Sequence, residues 1–167
     1  MLIARPLALL ALLAAAPALA LEVPPSDQAP LSPQDESAAF RAAGFEQAGG
    51  EWRGCGDPGT AGYTPGEISQ VLDLNNDGLP EAVITEGSAF CFGMTGLGYS
   101  LVSKQADESW RLLDGRGGIP TFLGTRGADG WPDIEVGGPG FCFPVLRWDG
   151  KEYKLDRHQY DGKPCQG

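Results

Sequence analysis

Oxygen-bearing side chains recur at alternate positions along one short stretch of this chain: Asp73, Asn75 and Asp77, followed by Gly78 and then by Glu81 at the ninth position. Calcium takes about six to eight oxygen ligands at a flexible radius, and a stretch of this pattern supplies them. The backbone carbonyl of Leu79, at the seventh position, is the expected fifth protein ligand, and water can fill the remainder. Magnesium suits the stretch less well, because it demands a tight octahedron and keeps several of its own waters. The alternative without metal is a run of Asx turns, in which Asp and Asn side chains accept hydrogen bonds from nearby backbone N–H groups and hold a tight connection.

Asp-x-Asn-x-Asp-Gly is also how an EF-hand begins. The twelfth position, which an EF-hand needs as a bidentate Glu, is Ile84, and Pro80 with the β-prone run Ala82 to Thr85 opposes an exiting helix. The loop must therefore join strand to strand. Residues 73–84, Asp-Leu-Asn-Asn-Asp-Gly-Leu-Pro-Glu-Ala-Val-Ile, resemble the calcium loop of FG-GAP or VCBS-type repeats. That resemblance implies a loop between strands of β-propeller-like blades in a secreted or cell-surface protein, with Asp73, Asn75, Asp77, the Leu79 carbonyl and Glu81 on the metal. The chain as a whole resembles small exported bacterial proteins of this repeat type, which brings no activity with it.

A second, degenerate copy follows. Asp77-Gly78-Leu79-Pro80-Glu81-Ala82-Val83-Ile84 is echoed 52 positions later by Asp129-Gly130-Trp131-Pro132-Asp133-Ile134-Glu135-Val136, and each copy then reaches Phe-Cys-Phe, at 90–92 and at 141–143. Two matches in the same order point to two structural repeats. In the second copy Thr125 and Gly127 stand where the first two ligands would be, while Asp129 and Asp133 remain, so one metal site is expected rather than two.

The elements that must hold these loops read as mainly β. From Gly49 onward glycine and proline punctuate short apolar or alternating runs, and strands are expected at 68–74, 82–86, 98–105, 109–113, 121–125, 134–136, 141–148 and 151–155. Asp149-Gly150 signals a two-residue type I′ hairpin between the last two. Ahead of them Ser32, Pro33 and Asp35 form an N-cap, a first-turn proline and a capping acid, opening a short helix through Arg41 that Gly44 ends. The fold expected is a small antiparallel β-sheet or sandwich of two degenerate repeats with one short N-terminal helix. Two units are too few to close a propeller.

The ends and the charge frame its setting. Arg5, the apolar run 7–16 and the small-x-small ending Ala18-Leu19-Ala20 read as a cleavable signal peptide over residues 1–20, too short to span a bilayer. Residues 21–31 then read as a flexible lead-in with Pro24, Pro25 and Pro30, and 32–167 as one domain. No membrane span is expected after cleavage. The periplasm or the cell exterior follows as location, and four cysteines with no CxxC pair argue for two disulfides there. Three connectivities are open, and the two short loops, Cys55–Cys91 and Cys142–Cys165, are the preferred ones. Each would stabilise the fold by about 3 kcal/mol in the chain-entropy model. A formal net charge of −10 disfavours nucleic acid and anionic lipid as partners.

Signals for catalysis are sparse. His158 is the sole histidine, no G-x-S-x-G occurs, and the spacing of Gly93, Gly96 and Gly98 is not a dinucleotide fingerprint. Glu81, Glu86, Asp133 and Glu135 could in principle supply a carboxylate pair for glycoside hydrolysis. Trp131, beside Pro132 at a loop tip, is the aromatic expected to be exposed as a contact. The reading favoured is an exported calcium-binding scaffold or binding module, its contact surface built from the glycine-rich loops and its partner a protein or glycan of the cell envelope. The alternative is a small cell-envelope hydrolase or hydrolase inhibitor.

Overall fold

A computed structural model describes residues 29–166. The expected signal peptide and residues 21–28 of the lead-in lie outside the described residues. Helix α1 (Pro33–Ala42) forms where the caps place it: the Ser32 hydroxyl accepts from Asp35 N–H at 3.1 Å, Pro33 fills the first turn, and Gly44 departs with φ +85°.

Among the described residues eleven strands follow, in two antiparallel sheets. The first runs β1 (Glu46–Ala48), β2 (Glu51–Arg53), β3 (Thr64–Leu72), β4 (Glu81–Gly87), β5 (Leu97–Lys104) and β6 (Trp110–Gly117), each hydrogen-bonded to the next. The second orders β11 (Lys163–Pro164), β10 (Tyr153–Tyr160), β9 (Phe143–Trp148), β8 (Pro132–Gly137) and β7 (Ile119–Arg126). Thus β3–β6 and β7–β10 are successive four-stranded meanders, and the two echoing segments enter the second strand of each. Short helical turns at Ala89–Phe92 and Gly93–Thr95 bridge β4 to β5, and another at Ala128–Gly130 precedes β8.

Side chains alternate faces along a strand, so each sheet presents two surfaces. On β4, Ala82 and Ile84 face α1 and bury against Ala39, Phe40, Phe45 and Val102, with the ring of Trp52 stacked 4.8 Å from Phe40. Val83, on the other face, joins Leu72, Leu74, Tyr99 and Leu101 in a core shared with the second sheet. The second sheet meets that core through Ile134, Val136, Leu146, Trp148 and Tyr153. Ile134 and Val136 are the echo partners of Ala82 and Ile84. Corresponding faces therefore point the same way in the two meanders: α1 covers that face of the first, and the first meander covers that face of the second.

Two expectations are corrected. Asp149-Gly150 does not make a type I′ turn: β9 and β10 pair Trp148 with Tyr153, leaving a four-residue connection, and among its residues only Gly150 has positive φ, +99°. The Asp149 carboxylate accepts from Lys151 and Glu152 N–H at 2.9 and 3.0 Å, so a side-chain-capped turn replaces the tighter backbone one. Paired positive-φ residues occur instead in two other two-residue hairpins, Gly49-Gly50, φ +63° and +89°, joining β1 and β2, and Asp161-Gly162, φ +51° and +72°, joining β10 and β11. The second correction concerns Trp131, which is 7% exposed rather than projecting. The Ala128–Gly130 turn folds it onto Trp148, ring centroids 5.7 Å apart, because a bare indole at the loop tip would forfeit one of the larger apolar burials in the shared core.

Both expected disulfides are present, Cys55–Cys91 and Cys142–Cys165, and the described residues hold no free cysteine. Among the described residues no helix is long and apolar enough to cross a membrane.

Candidate metal centre

The β3–β4 connection is a knot of side-chain-to-backbone hydrogen bonds. Asp73 accepts from Asp77 N–H at 3.1 Å and from Gly78 N–H at 3.0 Å; Asn75 Oδ1 accepts from Asp77 N–H at 3.2 Å. Asn75 Nδ2 donates to Asp77 Oδ2 at 2.8 Å, and Asp77 Oδ1 accepts from Leu79 N–H at 2.8 Å. Gly78, at φ +84°, makes the reversal that lets these groups turn inward. Asp73, Asn75 and Asp77 are thus brought together around one turn, with Leu79 at its exit.

Glu81 opens β4 one layer below. It is fully buried, and its carboxylate accepts from Leu74 N–H at 2.7 Å and from the Ser103 hydroxyl at 2.9 Å, both uncharged donors. Burial, reinforced by the charges of Asp77 and Asp73, pushes its carboxyl up to about 7, against the pull of those two hydrogen bonds. Among the described residues no three carboxylates, imidazoles or thiolates converge on one point as they stand. The carboxylates of the turn are near enough to act on the Glu81 charge, yet they do not form one cluster with it. A calcium ion held by Asp73, Asn75, Asp77 and the Leu79 carbonyl would take Glu81 as ligand by drawing it away from Ser103, or would reach it through water. The donor set itself, hard oxygens with excess negative charge, fits calcium.

At the corresponding place in the second meander the chemistry is different. Asp133 is also fully buried, but on the face turned away from the first sheet. It accepts from Arg147 Nε and Nη2 at 2.9 and 2.7 Å, from Arg157 Nη1 at 2.9 Å and from the Thr125 hydroxyl at 2.6 Å. Burial opposes its ionisation, yet the hydrogen bonds from Arg147, Thr125 and Arg157 outweigh it and hold the carboxyl down at about 2. Thr125, standing where the first ligand would be, serves the arginine-held carboxylate, and Asp129 sits across from Asn75 and Asp77 in a cleft of about 350 Å³ that Trp131, Trp148 and Arg111 also line. Arg126 ties the two loops together by donating to the carbonyls of Leu74, at 2.9 Å, and Gly130.

Ser103, Arg147 and Arg157 carry no motif and were invisible in the sequence. Their positions on β5, β9 and β10 become meaningful only when strand register sets them opposite Glu81 and Asp133. Of the remaining carboxylates considered for hydrolysis, Glu86 is buried and accepts from Gly54 and Cys55 N–H and from the Tyr63 hydroxyl, while Glu135 accepts from Gln159, which in turn accepts from the Arg157 that holds Asp133.

No family model, no curated protein and no solved structure matches the chain.

Proposed function

We propose that this chain is an exported, calcium-stabilised β module, a binding or scaffold domain of the periplasm or cell exterior serving a protein or glycan of the cell envelope. Asp73, Asn75, Asp77, the Leu79 carbonyl and Glu81 form its ion site. The observation that carries the reading is a charge imbalance: a fully buried carboxylate met only by neutral donors lies beneath a turn bearing two more carboxylates. Bare clustered carboxylates repel, and a bound cation removes the repulsion and stiffens the turn. The ion's task is structural.

The meanders β3–β6 and β7–β10 are read as two successive units of the FG-GAP or VCBS type, stacked head to tail with the first capped by α1. The common sense of their faces and the matching place of the echoes support this. Two disulfides and the acidic charge accord with life outside the cytoplasm.

Calcium titration under thermal unfolding tests the ion site. Calcium should raise Tm and Asp77→Ala should abolish the rise; an unmoved wild-type Tm at millimolar calcium, with magnesium and EDTA as controls, defeats the proposal.

A further inference from the structure

Antiparallel meanders place their connections alternately at two ends, and the ends of this molecule differ in charge. One end gathers the connections 73–80, 105–109, 127–131 and 149–152, which carry Asp73, Asp77, Asp107, Glu108, Asp129, Asp149 and Glu152 against the single cation Lys151. The other gathers 54–63, 88–96, 118, 138–142 and 161–162. No charged residue occurs in 87–103, 117–125 or 136–146, the stretches that build most of this second end. It is one surface: a side chain at Gly138 would meet the Thr95 hydroxyl at 3.3 Å, and Gly118 N–H donates to the Leu97 carbonyl at 2.9 Å.

The same end displays large apolar side chains. Met94 is 90% exposed, Phe141 77% and Phe90 66%, and Tyr160, 47% exposed, meets Phe141 edge-on at 5.8 Å. Ile119, paired with Gly137 at the start of β7, adds to the rim. Both disulfides anchor the segments that carry the phenylalanines, since Phe90 precedes Cys91 and Phe141 precedes Cys142. Bordering charges are of both signs: Arg53, Asp161, Lys163, and Asp57, which is buried and accepts from Ser88 at 2.5 Å.

We propose that this apolar end is the surface by which two copies of the chain pair, disulfide end to disulfide end. The exposed apolar side chains supply on the order of 600 Å² per copy at ordinary side-chain areas. Doubled across a two-fold axis, that reaches the roughly 1,000 Å² a specific interface needs. Electrostatics selects the same arrangement. A chain of formal charge −10 repels its own copies through most of its surface, but the charges at this end are few and of both signs, Asp161 against Arg53 and Lys163. The acidic ends then lie apart by two strand lengths, roughly 50 Å, against a screening length of about 8 Å in physiological salt. The inference takes nothing from calcium and stands or falls separately from the ion site.

Sedimentation velocity of the purified, disulfide-intact protein over a concentration series tests it, with EDTA present so that the ion site plays no part. The expected result is a monomer–dimer equilibrium in the micromolar range that Phe141→Ser with Met94→Ser shifts to monomer by at least tenfold in Kd. Leu155→Ser, which removes an apolar side chain 58% exposed on a strand flank, should leave the equilibrium where it was. Near-UV circular dichroism and an unchanged Tm establish that the double variant is folded. A wild type that stays monomeric throughout overturns the proposal, as does a dimer indifferent to the double substitution. Flotation of a monomer with neutral phosphatidylcholine vesicles, lost in the double variant, would also overturn it by assigning the end to a bilayer.

Discussion

Glu81 and Asp133 occupy matching places in two meanders, are both fully buried, and have opposite surroundings. Around Asp133 the chain has built its own counter-charge from Arg147 and Arg157; around Glu81 it has added more acid, in Asp73 and Asp77, and only neutral donors. The difference follows from which face each residue occupies. Asp133 lies on the solvent-turned face of the last sheet, where long arginine side chains can reach it and still leave their far ends hydrated. Glu81 faces the core between the sheets, where an arginine would have to be buried whole. One copy of the loop is thus completed by the protein's own cations, and in the proposed reading a small cation completes the other.

The sharpest way to break the contrast is to remove the protein's own cations. Arg147→Met combined with Arg157→Met strands a buried carboxylate, and urea denaturation should show a loss of about 3–5 kcal/mol. The calcium increment comes next. At roughly a hundred times Kd, calcium should add about 2.7 kcal/mol to wild-type stability. Glu81→Gln, which keeps an acceptor for Leu74 N–H, should lower or abolish that increment while leaving the calcium-free protein as stable as wild type or more so. If Glu81→Gln instead destabilises the calcium-free protein by several kcal/mol, the charge imbalance is not what defines the site.

A smaller effect should appear on the acid side. The Asp133 carboxyl titrates at about 2 in the folded chain against an ordinary 3.8, so the folded state binds fewer protons there. The stability it contributes is complete above about pH 4 and is lost as pH falls towards 2. Asp133→Asn should flatten that limb of the stability curve. Smallest, Thr125→Ala removes one hydroxyl from the cluster and should cost about 1 kcal/mol by thermal unfolding, without touching the response to calcium.

Local chemistry was legible in the sequence; facing was not. Ser32, Pro33 and Gly44 bounded α1, and alternation with glycine punctuation located most strands, because caps and turns act over a few residues. That Asp73, Asn75, Asp77 and Gly78 form one tight turn was legible for the same reason, since they interact mainly with one another. The strands β1, β2 and β11 were missed, being two or three residues each and too short for a period to emerge. Trp131 was misjudged because its position beside Pro132 describes the chain path, whereas its burial depends on Trp148, on another strand. Nor could the echo reveal that Ala82 faces a helix and Ile134 faces a sheet. A period of two separates the faces of a strand and leaves open what covers each.

The order of the disulfides has a consequence for how the chain matures. Cys55 pairs with Cys91, and Cys142 with Cys165, each with the next cysteine along the chain. A polypeptide that emerges N-terminus first offers its first two thiols to an oxidant before the third arrives. Joining cysteines in order of appearance therefore yields the native pairs directly, with no wrong bridge to be undone by an isomerase. Oxidative refolding of the complete chain lacks that ordering, and it should pass through scrambled species that stepwise emergence avoids.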